Sequence, residues 1–226
     1  MNEAGLEDIK EYKHFNDFFT RSLKAGTRPI SESKVVSPVD GVVSQCGNIE
    51  GSMIFQAKGK KFSVEALLAN SPKDNFYTSF ATIYLSPKDY HRIHMPFDGI
   101  LKSMKYIPGN LFSVNKRTVE NIDQVFARNE RLICNFDTEY GEMALVMVGA
   151  IFVGSMETSW EGQVTPPYTK SVKTYDYDSR QIGLSKGEEL GRFNMGSTVI
   201  LILPKGSPEL NLEAGKALKM GQSISN

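Results

Sequence analysis

From Lys34 onward, the sequence is a series of short apolar runs rich in Val and Ile, and turn-forming residues separate them. Short runs of β-branched residues bounded by Gly, Pro, Asn or Asp are typical of β-strands. They comprise Val35-Val36, Val42-Val43, 81–85, 132–134, 145–153 and 199–203. The tetrapeptide Thr138-Glu-Tyr-Gly141 separates two of these runs and predicts a hairpin turn. We therefore predict a mainly β body of antiparallel strands, arranged as a sandwich or a partly closed barrel.

Three stretches favour helices instead of strands. Residues 8–23 place four apolar side chains at helical spacing, namely Phe15, Phe18, Phe19 and Leu23. Residues 63–69 and 123–127 are short enough to form single helices between strands. No linker rich in Gly, Ser or Pro divides the chain. The sequence therefore predicts one α+β domain over residues 1–226, with a few short helices and an amphipathic helix near its N-terminus.

The charge and hydropathy of the chain exclude several classes of function. Lys and Arg number 26, and Asp and Glu also number 26, so the formal net charge is zero. Without a global basic field, nucleic acid is not an expected partner. No apolar run approaches the roughly 18 to 20 residues that a transmembrane helix needs, and the first residues lack the layout of a signal peptide. We expect the chain as given to be neither secreted nor membrane-spanning.

Two of the three histidines, His91 and His94, lie close together in the segment 84–96. A metal site is a poor explanation, because no HExxH spacing is present and no third His or Cys ligand stands nearby. We therefore predict no metal. A structural explanation is that each imidazole bonds buried backbone groups beside the turn at Pro96. The chemical explanation is acid–base catalysis.

Acid–base catalysis by a histidine requires a carboxylate to orient the ring and a hydroxyl to deprotonate. Asp40 and Ser197 are the natural partners to test. Asp40 lies in a Pro-x-Asp-Gly turn that precedes two valines, and Asp98 lies in a second copy of the same tetrapeptide. The motif alone therefore carries no catalytic claim for Asp40.

The triplet Gly196-Ser197-Thr198 directly precedes the apolar run 199–203. This pattern is typical of a turn that is followed by a buried strand. The flanking residues do not form the GxSxG elbow of a serine hydrolase, which disfavours that class. The Ser197 hydroxyl could instead attack the carbonyl of the preceding residue and transfer the acyl group from nitrogen to oxygen. Gly196 is the residue type that lets the backbone bend for such an attack.

Taken together, these motifs resemble the bacterial phosphatidylserine decarboxylase proenzyme family. The resemblance covers nearly the whole chain and is specific. Its segments are 15–21, 37–41, 56–59, 84–96, 108–115, 126–134, 148–154 and 196–198.

Two departures from the family pattern stand out. Met195 replaces the usual leucine before Gly-Ser-Thr, a change of similar volume that should not impair cleavage. Family members normally begin with a further N-terminal region whose hydrophobic helices dock on the membrane. We expect this chain to start after that region, with Met1 internal to a longer natural protein.

The resemblance implies that the chain cuts itself at the Gly196–Ser197 bond, which gives a β chain 1–196 and an α chain 197–226. In the implied scheme, Asp40 orients His94, and His94 takes the proton from Ser197. Ser197 then becomes an N-terminal pyruvoyl group, the covalent cofactor. Such a carbonyl accepts the negative charge that decarboxylation creates at Cα of an amino acid. His91 is the implied general acid that returns a proton to Cα.

The implied reaction converts phosphatidylserine to phosphatidylethanolamine and CO2, at the cytoplasmic face of the bacterial inner membrane. The implied assembly is a non-covalent pair of β and α chains, with a homodimer as a further possibility. The aromatic segment 15–19 and Leu111-Phe112 are candidates for the membrane-facing side. Two alternatives remain at this stage. One is a non-enzymatic β module that binds lipid or protein, and the other is a pyruvoyl enzyme that decarboxylates a different amino-acid derivative.

Overall fold

A computed structural model describes residues 2–57, 59–70, 72, 76–151, 155–194 and 198–226. The helices are short: a 3-10 turn Ile9–Glu11, α1 Phe15–Phe19, α2 Val64–Leu68, α3 Lys116–Asn121 and α4 Val125–Arg128. The strands are β1 Gly41–Asn48, β2 Met53–Ala57, β3 Lys60–Ser63, β4 Tyr77–Tyr84, β5 Arg92–His94, β6 Gly99–Ile107, β7 Arg131–Thr138, β8 Gly141–Val148, β9 Met156–Thr158, β10 Gly162–Thr165, β11 Lys173–Asp176, β12 Gly183–Leu184, β13 Glu189–Phe193, β14 Thr198–Pro204 and β15 Ala217–Leu218. The predicted mainly β fold with a few helices is confirmed.

The strands form a large sheet and two smaller ones. The large sheet has the order β11-β6-β7-β8-β14-β4-β1-β15, with β12 also paired to β6. The second sheet has the order β10-β9-β13-β5, and β2 pairs with β3. Every described strand pair is antiparallel, as predicted. Among the described strands, no sheet closes into a barrel, since the large sheet ends at β11 and β15.

The apolar run that follows Gly-Ser-Thr forms β14, in the middle of the large sheet. β14 pairs with β8 on one side and β4 on the other, and all seven of its residues are buried. The sequence of a strand that is covered on both faces is a continuous apolar run, rather than an alternation of apolar and polar residues. This burial explains why 199–203 contains only Val, Ile and Leu.

Several local predictions hold, and three require correction. The hairpin turn is confirmed, because Thr138 pairs with Gly141 across a two-residue loop. The helix predicted at 63–69 is α2, which the Ser63 hydroxyl caps by accepting a hydrogen bond from the Ala66 N–H at 3.0 Å. The other predicted helix begins two residues late, at Val125, because Gln124 adopts a left-handed conformation.

The corrections concern the first residues, one valine pair and the apolar run 145–153. The helix predicted over 8–23 is broken into a 3-10 turn and the five-residue α1. Val35-Val36 forms only an isolated bridge, from Val36 to Ser223. The run 145–153 gives a strand that ends at Val148, and residues 152–154 lie outside the described ranges.

One end of the large sheet concentrates the segments singled out by the sequence. Antiparallel partners form a row across five strand pairs at this end: Ile107, Arg131, Val148, Thr198, Tyr84 and Val42. At this end β4 stops at Tyr84, the first residue of the histidine segment, and β14 begins just after Gly196-Ser197. We call it the β14-start end.

Candidate active site

The histidine segment lies against the strand that leads to the predicted cleavage position. His94 ends β5, and β5 pairs with β13 through the register His94 to Glu189 and Arg92 to Arg192. The backbone N–H of Phe193, at the end of β13, donates to the carbonyl oxygen of His91 at 3.1 Å. The sheet therefore brings the histidines and the chain just before the Gly-Ser-Thr triplet together.

The predicted cleavage residues themselves, Gly196 and Ser197, lie outside the described residues, as does Met195. On the C-terminal side, Thr198 opens β14 and is 1% exposed. Its hydroxyl oxygen Oγ1 has no hydrogen-bond partner in the described part of the chain. A buried hydroxyl without a partner costs free energy, so it has the capacity to bind a further polar group.

His94 is buried, and both of its ring nitrogens are engaged. Nδ1 lies 2.8 Å from the carbonyl oxygen of Gly187, so Nδ1 carries the proton and donates. Nε2 therefore holds the lone pair and accepts a hydrogen bond from the Tyr90 hydroxyl at 2.9 Å. Burial lowers the pKa of His94, so the ring is held neutral.

His91 is fully buried and donates one hydrogen bond through its ring. Nδ1 lies 2.8 Å from the carbonyl oxygen of Asp89 and donates to it. Nε2 then holds a lone pair, and within the described ranges this atom has no hydrogen-bond partner. The Phe19 ring of α1 packs on the imidazole with centroids 4.0 Å apart. Burial lowers the pKa of His91 to about 4.

Asp40 differs from the second Pro-x-Asp-Gly aspartate by its burial. Its carboxylate is 2% exposed and accepts two hydrogen bonds from Arg28, at 2.9 and 2.6 Å. The Lys219 ammonium at 3.1 Å and the Met220 N–H at 2.8 Å complete its partners. Asp98 is exposed and accepts one backbone bond from Lys186. Burial alone would raise the pKa of Asp40, but the Arg28, Met220 and Lys219 bonds lower it, so it is a carboxylate.

The expected direct contact between Asp40 and His94 is not what the structure has. The backbone segments do run side by side, because the His94 N–H donates to the Pro38 carbonyl at 2.8 Å. However, Gly187 and Tyr90 hold the His94 ring, while Arg28 holds the Asp40 carboxylate. Asp40 acts on both histidines only through space, where its charge raises their pKa values by less than burial lowers them.

Sequence reasoning missed the partners that fix these side chains. Arg28 and Lys219 flank Asp40 from opposite ends of the chain, and no local pattern marks either one. Tyr90 could have been found, since a hydroxyl four residues from His94 lies in the same short segment. Phe19 was identified only as part of an apolar stripe, and its contact with His91 depends on how α1 packs.

Acidification should destabilise the fold through His91. An unfolded histidine titrates near pH 6.5, whereas burial lowers the pKa of folded His91 to about 4. The unfolded state therefore binds the proton first, and the stabilising contribution of the neutral ring is lost as pH falls from 6.5 toward 4. As the pH falls through this window, the free energy of unfolding should decrease in both proteins. The decrease should be larger in the parent than in the His91→Asn variant, by about 1 kcal/mol per pH unit. Urea titrations measure this slope, and parallel curves would contradict the assignment.

Metal ligation and membrane spanning are two further properties of the described residues that bear on the class of site. Within the described ranges, no group of three or more His, Cys, Asp or Glu side chains is placed to hold a metal ion. None of the described helices has the length and apolar character needed to cross a membrane.

Comparison with known proteins gives a consistent result. The family model for phosphatidylserine decarboxylase matches residues 15–226. The phosphatidylserine decarboxylase proenzyme of Acidovorax ebreus is 51% identical over 231 residues, covering 100% of this chain and 82% of the relative. A Pseudomonas putida proenzyme of the same name is 52% identical, covering 99% of this chain and 81% of the relative. The Francisella tularensis subsp. novicida proenzyme is 56% identical, covering 88% and 72% respectively.

Proposed function

Because this chain belongs to the phosphatidylserine decarboxylase family, we propose that it is a self-processing enzyme that converts phosphatidylserine to phosphatidylethanolamine and CO2. One observation carries the proposal beyond family membership. The neutral His91, whose Nε2 lone pair has no partner within the described ranges, is hydrogen-bonded through its backbone to Phe193, four residues before Ser197. A binding module would gain nothing from a fully buried imidazole nitrogen that no described residue bonds.

The processing step divides the single domain 1–226 between Gly196 and Ser197. The Ser197 hydroxyl attacks the Gly196 carbonyl carbon, and His94 takes the hydroxyl proton. The Gly196–Ser197 C–N bond breaks as its nitrogen is protonated, which leaves an ester. Elimination of this ester releases Gly196 as a C-terminal carboxylate, and hydrolysis of the dehydroalanine left at position 197 consumes one water and releases ammonia. The receiving atom of His94 is Nε2, because Nδ1 already carries a proton that is donated to the Gly187 carbonyl. The Tyr90 hydroxyl donates to Nε2 and has to give up this bond when the proton arrives. Asp40 contributes negative charge beside the site, while Arg28 keeps it fixed and ionised.

The group formed from Ser197 is a pyruvoyl group, which supplies the electron sink that decarboxylation at Cα requires. The surrounding residues fit such a group. Ser197 is covalently joined to Thr198, whose buried Oγ1 has no partner among the described residues and can donate to a carbonyl oxygen. His91 Nε2 likewise has no described partner and can accept a hydrogen bond from a substrate amine. The described part of the chain thus offers one unused donor and one unused acceptor around this position.

His91 carries the proton that the reaction needs. Its pKa of about 4 makes the ring neutral at pH 7, so Nε2 can take a proton from the ammonium group of the bound substrate. The imidazolium that results is a strong acid in this buried setting and returns the proton to Cα after CO2 has left. The Nδ1 bond to the Asp89 carbonyl keeps Nε2 directed to this task throughout.

The proposed assembly is a β chain 1–196 and an α chain 197–226 held together without a covalent bond. An α chain of this length is too short for a core of its own, but β14 pairs along both edges with strands of the β chain. The enzyme would work peripherally on the cytoplasmic face of the inner membrane, as a homodimer. The lipid substrate that the relatives' names state supports the membrane location.

Replacing His94 and His91 one at a time with asparagine should affect two different steps, maturation and turnover. Asparagine can still donate to the carbonyl that Nδ1 bonds, but it lacks Nε2. His94→Asn should slow cleavage about 100-fold, and His91→Asn should lower turnover about 100-fold in chains that do mature, because each loses one proton-transfer group. Gel analysis of maturation and CO2 release from phosphatidylserine give the two readouts.

Two control variants sharpen this test. His14→Asn replaces the exposed third histidine and should mature and turn over as the parent does. Tyr90→Phe removes only the hydroxyl that His94 Nε2 must release, so it should still mature. Parent-like maturation of His94→Asn, or parent-like turnover of His91→Asn, would remove that residue from the mechanism.

The substrate is tested by comparing phosphatidylserine with free serine. We expect CO2 release from phosphatidylserine and none above background from serine. Release from serine alone would favour a decarboxylase of another amino-acid derivative. An uncut chain with no activity on either compound would instead favour the binding-module alternative.

A further inference from the structure

The β14-start end of the large sheet carries loops with exposed apolar side chains. Three loops extend beyond the row that includes Thr198: 108–113 after β6, 149–151 after β8, and 166–172 before β11. Each presents at least one large apolar residue to solvent: Leu111 at 38% exposure, Ile151 at 51%, Tyr168 at 57% and Val172 at 52%. We call these three loops the rim.

Specific contacts hold the rim loops next to one another. Leu111, Tyr168 and Lys170 line one shallow depression of about 510 Å³, together with Pro108, Gly109 and Thr169. The buried Asn129 side chain donates to the carbonyl oxygens of Phe112 at 2.8 Å and Gly149 at 2.9 Å, which ties the first two loops together. The rim is therefore one continuous surface rather than three separate tips.

The charge of this surface is one-sided, although the chain as a whole is neutral. The rim itself contains no Asp or Glu and one basic residue, the exposed Lys170. Three more exposed basic residues follow its loops along the chain, Lys173 at the start of β11 and Lys116 and Arg117 at the start of α3. Glu130, at the floor of the depression, is buried, and burial raises its pKa to about 6. The accessible charge on the rim is therefore positive.

The N-terminal aromatic segment, another exposed apolar feature, lacks this bias. Residues 2–24 contain five acidic side chains, Glu3, Glu7, Asp8, Glu11 and Asp17. They contain four basic ones, Lys10, Lys13, Arg21 and Lys24. In addition, Phe19 is already used against His91. Charge complementarity to an anionic partner therefore favours the rim.

The rim also lies near the proposed chemistry. Three strand spacings separate Ile107, where the first rim loop begins, from Thr198, since the row runs through Arg131 and Val148. At about 4.8 Å per spacing, the distance across the sheet is about 15 Å. A surface at this distance can face a bilayer while a lipid headgroup reaches the start of β14.

We propose that the rim is the surface by which this protein docks on an anionic phospholipid bilayer. The inference rests on the proposed lipid decarboxylase function. It adds the orientation of the protein on the bilayer, in which the β14-start end faces the membrane. Leu111, Tyr168 and Val172 enter the interfacial layer, where an aromatic ring and aliphatic side chains are stabilised. Lys170, which lines the same depression as Leu111 and Tyr168, and Lys173, which follows Val172, meet the anionic headgroups, which include phosphatidylserine itself.

The apolar part of the proposal is tested by flotation of the processed protein with vesicles. The vesicles contain phosphatidylcholine alone or a mixture of phosphatidylcholine with phosphatidylserine, which supplies the anionic surface. The triple variant Leu111→Ser, Tyr168→Ser, Val172→Ser should bind the mixed vesicles at least about tenfold more weakly. Ile100→Ser is the matched control, since Ile100 is 42% exposed at the opposite end of β6 and should bind as the parent does.

The charged part is tested with the double variant Lys170→Gln, Lys173→Gln. Each lysine at an anionic surface contributes about a fivefold change in partitioning, so the pair should weaken binding about 25-fold. Lys205→Gln, just after the far end of β14, should have no effect. Raising the salt concentration should weaken parent binding and reduce the difference between the parent and the double variant. Equal binding of the parent and both rim variants would overturn the proposal.

Activity on two forms of substrate separates this inference from the proposed function. On short-chain phosphatidylserine below its micelle concentration, rim variants should keep the parental rate within about twofold, because no membrane is involved. On vesicles, their rate should fall with their binding. If the rim variants lose activity on both forms of the substrate, the rim contributes to the catalytic site or to the fold. A change of oligomeric state by light scattering, without a change in vesicle binding, would mean that the rim joins two copies of the chain. Parent protein that binds vesicles but decarboxylates neither form would leave the rim supported and the proposed function refuted.

Discussion

Replacing Ser197 with alanine should yield a folded chain of 226 residues that never divides and does not decarboxylate phosphatidylserine. The change removes only the hydroxyl that attacks the Gly196 carbonyl, and alanine has no group that can replace it. Intact mass under denaturing conditions measures the outcome. The parent should give two species, and the smaller should contain 226 − 196 = 30 residues. It should weigh one ammonia less than the hydrolytic fragment 197–226, since the pyruvoyl group has lost its nitrogen.

A second serine in the same segment supplies the control. Ser207 lies ten residues downstream, and its hydroxyl has no hydrogen-bond partner in the described part of the chain. Ser207→Ala should therefore divide and react as the parent does. Circular dichroism should show the same fold for both variants. Normal division of the Ser197→Ala chain would end the serine-attack mechanism.

Replacing Asp40 with asparagine should lower the free energy of unfolding by about 3 kcal/mol. The carboxylate is 2% exposed and balances the Arg28 guanidinium, whose side chain is itself only 6% exposed. Removing one partner of a buried pair leaves the other charge uncompensated, which is strongly destabilising. Glu3 still binds Arg28 in the variant and keeps the loss at the lower end of the usual range. Urea unfolding measures the change, and gel analysis of the same sample measures maturation.

The second Pro-x-Asp-Gly turn provides a matched control for Asp40. Asp98 has the same local sequence but is exposed, so Asp98→Asn should change the free energy of unfolding by less than about 0.5 kcal/mol. If Asp40→Asn keeps parental stability yet fails to mature, Asp40 acts chiefly on the chemistry. If it loses stability and still matures, its contribution is structural, and the proposed role of its charge beside His94 is wrong.

The strand content of this protein could be predicted from local sequence patterns. β14 is an example, since a continuous run of Val, Ile and Leu with a turn before it has few other outcomes in a soluble chain. The helices were less predictable, because α1 and α4 depend on backbone conformations at their ends that no periodic pattern records. The break after Glu11 and the left-handed Gln124 are two such cases.

The sequence by itself determined which chemical groups are available and to which family the chain is similar, because motifs such as the histidine pair and Gly-Ser-Thr are contiguous. Only the tertiary structure decided how these groups are held. Asp40 is bonded by Arg28, 12 residues away, and by Lys219, 179 residues away. His94 is oriented by Gly187, and His91 is covered by Phe19. The same holds for the rim, whose loops are distant along the chain and meet because their strands end in one row. The physical reason is that burial and hydrogen-bond partners at these positions come from strand pairing between distant segments, which a local pattern cannot express.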